Sequence, residues 1–252
     1  MPFAAAGIQT PWKKRQQRPL NPVRSRLSVA ALLGNMAVPY DMVRARREAD
    51  AIAREFPGDG RPVLLIPGFL ASEHRMERMR STLEAAGYSA FHWDLGRNLG
   101  PKFDSREQLD ARVDAILAEA GAEAGKAVTL VGWSLGGLLA REYAKFAPEK
   151  VRAVLTLGSP FSGDPRANRA WRLYEMIARH SVDTPPFTCV RNEKPPVPTW
   201  ALWSRRDGVI VPECTAGMAD ERDRAVEVDC THMGFAAAPE GIRAVLASLP
   251  SL

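Results

Sequence analysis

The stretch from Val128 to Tyr143, VTLVGWSLGGLLAREY, constrains this chain more than any other. Val128, Leu130 and Val131 form a short apolar run of the kind a strand buried on both faces carries. Leu138, Leu139, Tyr143 and Phe146 then recur at helical spacing. Between the two lies Gly132-Trp133-Ser134-Leu135-Gly136-Gly137. A strand that turns straight into a helix presses backbone against backbone. Glycines at 132, 136 and 137 remove the side chains that would collide there. The serine at the apex is pushed into the open, and the helix behind it aims its first N–H groups at the same point. A glycine-rich turn with an incidental serine would look the same locally, so the decision falls to partners elsewhere in the chain.

The rest of the chain supplies a setting for such a turn. PVLLIPGF reads as a buried strand ending at Pro67-Gly68-Phe69, followed by a helix around Glu73–Ala86 that Gly87 should cap. Tyr88–Trp93 is the next strand, and Ser105–Ala120 a helix capped by Asp104 or Ser105. Strand Val151–Leu157 follows the serine unit, and Thr199–Ser204 and Ala225–Val228 come later, with a last helix at Pro239–Leu249. Strand and helix alternate throughout, which predicts an α/β fold with a mostly parallel, doubly wound sheet. The alternation stops between 161 and 198. Pro185-Pro186, Pro195-Pro196 and Pro198 leave room for one helix there, Ala167–Arg179, so the segment reads as a small cap insertion. No strand pattern is legible before residue 60.

Residues 27–56 read as helical, with a break expected at Pro39. Met42, Ala45, Ala49, Ile52, Ala53 and Phe56 share a stripe that should dock on the body. Residues 1–26 are rich in Pro, Gln and Arg and are expected to form a poorly ordered tail. The expected organisation is therefore a tail (1–26), a helical segment (27–56) and an α/β domain (57–252). The formal charge is +5, yet residues 1–40 hold Lys13, Lys14, Arg15, Arg18, Arg24 and Arg26 and no acid. The six leave 28 of the 34 basic residues against 29 acidic ones, so the body is near neutral. No nucleic-acid partner is expected; weak contact of the tail with an acidic partner or a membrane surface is the alternative to a solvated arm. The chain has no run of 18 apolar residues and its start lacks a secretory pattern. Cys189, Cys214 and Cys230 are an odd set without metal-type spacing, so idle thiols in a reducing cytoplasm are expected, with no metal.

A serine hydroxyl attacks at neutral pH only if a base takes its proton, and imidazole, oriented by an acid, suits the task. After a G-x-S-x-G elbow the acid and then the histidine follow in chain order. Of His74, His92, His180 and His232, only His232 follows a late strand and precedes the last helix. Asp207 stands directly after the strand ending in ALWS and is the expected acid. Asp164, after Val151–Leu157, is the other candidate. A tetrahedral intermediate needs two N–H donors: the amide of Leu135 for one, and for the other the amide of Phe69, with Leu70 as second choice. Trp133, Phe161, Trp171 and Tyr174 are the expected substrate-contacting side chains.

These motifs together resemble the α/β-hydrolase superfamily, and within it the bacterial esterase/lipase-like serine hydrolases, over roughly residues 60–250. The likeness lies in Pro-Gly-Phe, Gly-Trp-Ser-Leu-Gly-Gly, Leu-Gly-Ser-Pro-Phe, Ser-Arg-Arg-Asp-Gly-Val and His-Met-Gly. It implies hydrolysis of a small-molecule acyl ester through an acyl-serine on a Ser134–His232–Asp207 triad, without metal or organic cofactor. The elbow also resembles that of a pimeloyl-carrier methyl esterase. That leaves a thioesterase, a carrier-protein acyl esterase or an acyltransferase as the alternative, and a binding protein on the same scaffold as a third reading.

Overall fold

The structure of the protein, a computed structural model, describes residues 36, 38–102, 104–121, 127–164, 166, 171–178, 181 and 191–251, with backbone alone for 172–174. The apolar runs form β1 (Pro62–Ile66), β2 (Ser89–His92), β3 (Val128–Trp133), β4 (Val151–Leu157), β5 (Thr199–Trp203) and β6 (Arg224–Glu227). All pair in parallel as one sheet in the order β2-β1-β3-β4-β5-β6. Among the described residues the first strand is β1, as the sequence led us to expect. The helices are α1 (Val38–Glu55), α2 (Glu77–Ala86), α3 (Ser105–Ala120), α4 (Leu135–Phe146), α5 (Trp171–Ala178), α6 (Pro212–Ala216), α7 (Gly234–Ala237) and α8 (Pro239–Ser248).

Because side chains alternate along a strand, the sheet feeds two separate cores. Val63 and Leu65 of β1 face one of them, together with Val131, Leu155 and Leu202. That face is covered by Ala45 and Ile52 of α1, Met79 and Leu83 of α2, and Ile242, Val245 and Leu246 of α8. Leu64 and Ile66 face the other core with Leu130 and Val154, under Leu109, Val113 and Ile116 of α3 and Leu139, Ala140 and Tyr143 of α4. Helices on both faces of a parallel sheet make this a doubly wound α/β architecture.

The local differences from the sequence reading have simple causes. Helix α1 starts at Val38 and runs through Pro39, which lies in its first turn, where a missing N–H costs nothing. Its docked stripe is Ala45, Ala49, Ile52 and Ala53; Met42, expected in that stripe, is 47% exposed. Gly87 caps α2 at φ 102°, as expected. Asp104 sits at the N-cap position of α3, but its carboxylate accepts from Gln108 Nε2 (2.7 Å) rather than from the helix backbone. Of the segment between 161 and 198, α5 is the described helix; 167–170, 179–180 and 182–190, with His180 and Cys189, lie outside the described residues, as do the tail and the first residues of the 27–56 segment.

Helix α1 is bound into the fold as well by ion pairs of Arg44 with Glu240 (2.6 Å) and of Arg243 with Glu55. Partly exposed pairs of this kind contribute little, so packing dominates. Ile52 is fully buried between α1 and its neighbours. Ile52→Ala should therefore lower unfolding stability by about 2–5 kcal/mol, read by urea denaturation. A loss below about 0.5 kcal/mol would show that α1 does not belong to the cooperative unit.

Candidate active site

The carboxyl ends of the strands lie side by side: Ile66 is in register with Gly132, Trp133 with Leu157, Leu157 with Leu202, and Trp203 with Glu227. The loops leaving β1, β3, β5 and β6 therefore meet along one edge of the sheet, where open parallel sheets gather ligands and reacting groups. Ser134 is at the tip of the β3–α4 turn, partly exposed, with φ 54° and ψ −118°. A non-glycine residue in this region costs about 1–3 kcal/mol and persists only where its surroundings fix it. Those surroundings are backbone. A Cβ on Gly132 would lie 2.4 Å from the Gly136 carbonyl oxygen, and one on Gly136 would lie 2.2 Å from that of Ile66. Ser134 N–H is itself held by the Leu157 carbonyl at 2.8 Å.

His232 and Asp207 arrive from the loops after β6 and β5. His232 Nε2 is 3.1 Å from Ser134 Oγ, and His232 Nδ1 is 2.7 Å from Asp207 Oδ2. Asp207 is fully buried, and its Oδ1 accepts the N–H groups of Val209 (2.9 Å) and Ile210 (2.6 Å), which fix the plane of the carboxylate. The Asp207 carbonyl in turn accepts His232 N–H at 3.1 Å, so the two loops are joined by backbone as well as side chain. Asp164, the other carboxylate the sequence offered, is exposed and accepts Arg166 N–H (2.8 Å) in a local turn.

On the far side of the serine lies the loop after β1. Gly68 approaches so closely that a Cβ there would sit 3.2 Å from Ser134 Cβ. The Gly68 carbonyl accepts Ala71 N–H at 3.0 Å, closing a turn with Leu70 at φ 62°, a conformation that favours glycine. Leu70 N–H is given to the Asn98 carbonyl (2.7 Å). The N-terminus of α4 faces the same point from below, with Leu135 as its first residue.

The sequence profile of the α/β hydrolase family matches residues 63–242 of the chain, from within β1 to within α8. The chain belongs to the α/β-hydrolase family. A triacylglycerol lipase of Burkholderia plantarii is 28% identical over a 164-position alignment that covers 58% of this chain and 44% of the lipase, so the chain aligns with less than half of that relative's length. The fold is shared with solved structures of lower identity. An esterase of Pyrococcus furiosus aligns over 77% of this chain and 84% of its own at 15% identity, with a TM-score of 0.54. For polyneuridine aldehyde esterase the figures are 76%, 100%, 13% and 0.51. For an α/β hydrolase from a lagoon-sediment metagenome they are 77%, 92%, 20% and 0.52.

In this α/β hydrolase two of the aromatic residues expected to contact substrate are buried. Trp133 is 3% exposed, and its indole N–H donates to the His232 carbonyl at 3.0 Å, with the two rings 5.8 Å apart. It braces the histidine loop from the core. Phe161 is 1% exposed and lies under the Arg141 guanidinium, 4.2 Å from its ring centroid, so its faces are taken up by protein. Trp171 is half-buried at the start of α5, with Arg166 over its ring at 5.5 Å. The side chain of Tyr174 lies outside the described residues.

Other polar groups near the site escaped the sequence reading. Ser204 Oγ donates to the Cys230 carbonyl (2.6 Å) and accepts Arg206 N–H (3.0 Å), pinning the aspartate loop to the histidine loop. Asn98 does similar work for the β1 loop. Both are single polar residues in loops, and the only signal for Asn98 was its place among turn formers in Gly-Arg-Asn-Leu-Gly-Pro. Cys214 and Cys230 are free and buried. Burial pushes both thiols up, Cys214 to about 12, so neither is an alternative nucleophile. Among the described residues no three His, Cys, Asp or Glu side chains are grouped to hold a metal ion, and no helix is long and apolar enough to cross a membrane.

Trp133→Phe keeps most of the buried ring but leaves the His232 carbonyl without its donor. An orphaned buried acceptor costs about 1–3 kcal/mol, which should appear as lower stability in urea denaturation. Unchanged stability would show that the indole bond does not hold the histidine loop.

Proposed function

We propose that the protein hydrolyses carboxylic esters of small molecules through an acyl-serine intermediate, with Ser134 as nucleophile. The observation that carries this reading is the hydrogen-bonded series Asp207–His232–Ser134, at 2.7 and 3.1 Å, ending at the apex of a strained elbow. With Nδ1–H donated to Asp207, Nε2 is left to accept the Ser134 proton as Oγ attacks the acyl carbon. The carbonyl oxygen becomes an oxyanion, stabilised by the N–H groups of Phe69 and Leu135. Collapse breaks the bond to the alcohol oxygen, which takes the proton from His232 and leaves. Water then repeats the sequence on the acyl-serine, gives its proton to His232, and the carboxylic acid departs as Ser134 regains its own. Each proton moves through the same imidazole, so no further acid or base is required.

Trp171 of α5 is assigned to the acyl pocket, in a cap spanning about residues 161–198 of a domain that covers 57–252. A cytoplasmic location completes the reading, on the odd cysteine number and the free thiols of Cys214 and Cys230.

Ser134→Ala should fold normally and lose turnover of p-nitrophenyl esters by several orders of magnitude. Retained turnover would remove the assignment. Asp207→Asn keeps the shape but reverses the tautomer, and a loss near 10⁴ is expected, against little for Asp164→Asn. The reverse ranking would make Asp164 the acid. A panel from acetate to palmitate, with acyl-thioesters beside it, fixes the acyl group; faster thioester turnover would favour the thioesterase alternative. Trp171→Ala should shift the preferred chain length, since a methylene in an apolar pocket is worth about 1–3 kcal/mol. An unchanged profile would make α5 a packing element only.

A further inference from the structure

Asn98 lies in the loop after β2 and is 1% exposed, although it is an amide with nothing apolar to offer a core. Its hydrogen bonds explain the burial. Side-chain Nδ2 donates to the Pro67 carbonyl (2.7 Å), the backbone carbonyl accepts Leu70 N–H (2.7 Å), and the backbone N–H donates to Ala71 (2.9 Å). Its Oδ1 accepts Gly100 N–H (3.1 Å), which fixes the amide's orientation. The neighbouring Arg97 adds a bond from Nη1 to the Leu70 carbonyl (3.2 Å).

The order of these contacts along the β1 loop matters. The Pro67 carbonyl belongs to the peptide unit before Gly68–Phe69, and Leu70 N–H to the unit after it. Asn98 therefore grips both neighbours of the unit that carries Phe69 N–H. The middle unit is fixed by its own carbonyl, which points to Ala71 N–H (3.0 Å). In a trans peptide the N–H points opposite to the carbonyl, so Phe69 N–H is turned out of the loop. The loop itself approaches Ser134, as the 3.2 Å clearance at Gly68 shows. Leu70, at φ 62°, would relax toward ordinary backbone angles unless held.

We infer that Asn98 is the positioning residue of the oxyanion loop, setting the direction of Phe69 N–H toward the acyl oxygen on Ser134. This rests on the ester-hydrolase reading above. The reach of the amide across two loops makes the geometry independent of substrate, so Asn98 acts on transition-state stabilisation rather than on ester binding.

The test compares wild type, Asn98→Ala and Asn98→Asp. Asn98→Asp retains an acceptor for Gly100 and sets a carboxylate oxygen against the Pro67 carbonyl, displacing the loop; Asn98→Ala only releases it. A misplacement of about 1 Å in such a site can cost on the order of a hundredfold. We expect kcat to fall about tenfold in Asn98→Ala and about a hundredfold in Asn98→Asp, with KM within about twofold. Affinity for an acyl trifluoromethyl ketone, whose hemiketal mimics the tetrahedral state, should fall in parallel. Wild-type kcat in both variants, measured well below their melting temperatures, would make Asn98 merely structural and overturn the proposal. Should neither variant fold, the crystal structure of the wild-type ketone adduct decides. Phe69 N should lie about 2.7–3.1 Å from the adduct oxygen with the Asn98–Pro67 bond intact, and absence of either contact overturns it. Wild-type protein that turns over no ester, or a Ser134→Ala variant that does, overturns the hydrolase reading itself and the role of Asn98 with it.

Discussion

The structure depends on one close contact, that of helix α4 with the ends of β1 and β3. Gly136 lies where any side chain would strike the carbonyls of Ile66 and Pro67, and Gly137 where one would strike Ser159 Oγ. The absence of these side chains lets the helix start directly beneath the β1 loop. That start carries the Leu135 amide, the turn before it carries Ser134, and the loop above carries Phe69. The approach of these three residues is thus set by backbone packing, before any side-chain choice is made.

A second layer of bonds then aligns what packing brought near. The aspartate and histidine loops are joined by Asp207 with His232, by Ser204 with Cys230, and to the core by the Trp133 indole. The β1 loop is joined to the β2 loop through Asn98. The site is in this way framed by buried polar contacts on both sides of the serine. Side-chain bonds to backbone carbonyls suit this purpose because their acceptors cannot move without moving the loop.

The sequence showed the strands, most helix limits and the three residues that meet at the sheet edge, because each carried a local pattern. Apolar runs marked strands, Gly87 marked a helix end, and chain order singled out His232 and Asp207. What stayed hidden depends on contacts between distant segments. Asn98 reaches residues about thirty positions away, which leaves no trace in spacing. Trp133 and Phe161 looked like pocket walls because they lie near the elbow and the end of β4; that both are buried, and that the Trp133 indole holds the His232 carbonyl, follows from packing between distant segments. Met42 fitted the stripe of α1 by period, but the burial of that stripe begins one turn further on, at Ala45.

The way α1 is attached bears on where this protein can be cut. The family profile begins at residue 63 and ends at 242, inside α8. Yet Ile52 of α1 and Val245, Leu246 and Leu249 at the other terminus lie in the same core as Val63 and Leu65. Together with α2, the segments at either end of the profile cover one sheet face. A fragment trimmed to the profile's limits would present Met79, Leu83 and the open sheet to water, an adhesive surface on an otherwise well-folded half. The smallest piece that keeps this core runs from the start of α1 through Leu249, and a fusion partner belongs outside those limits.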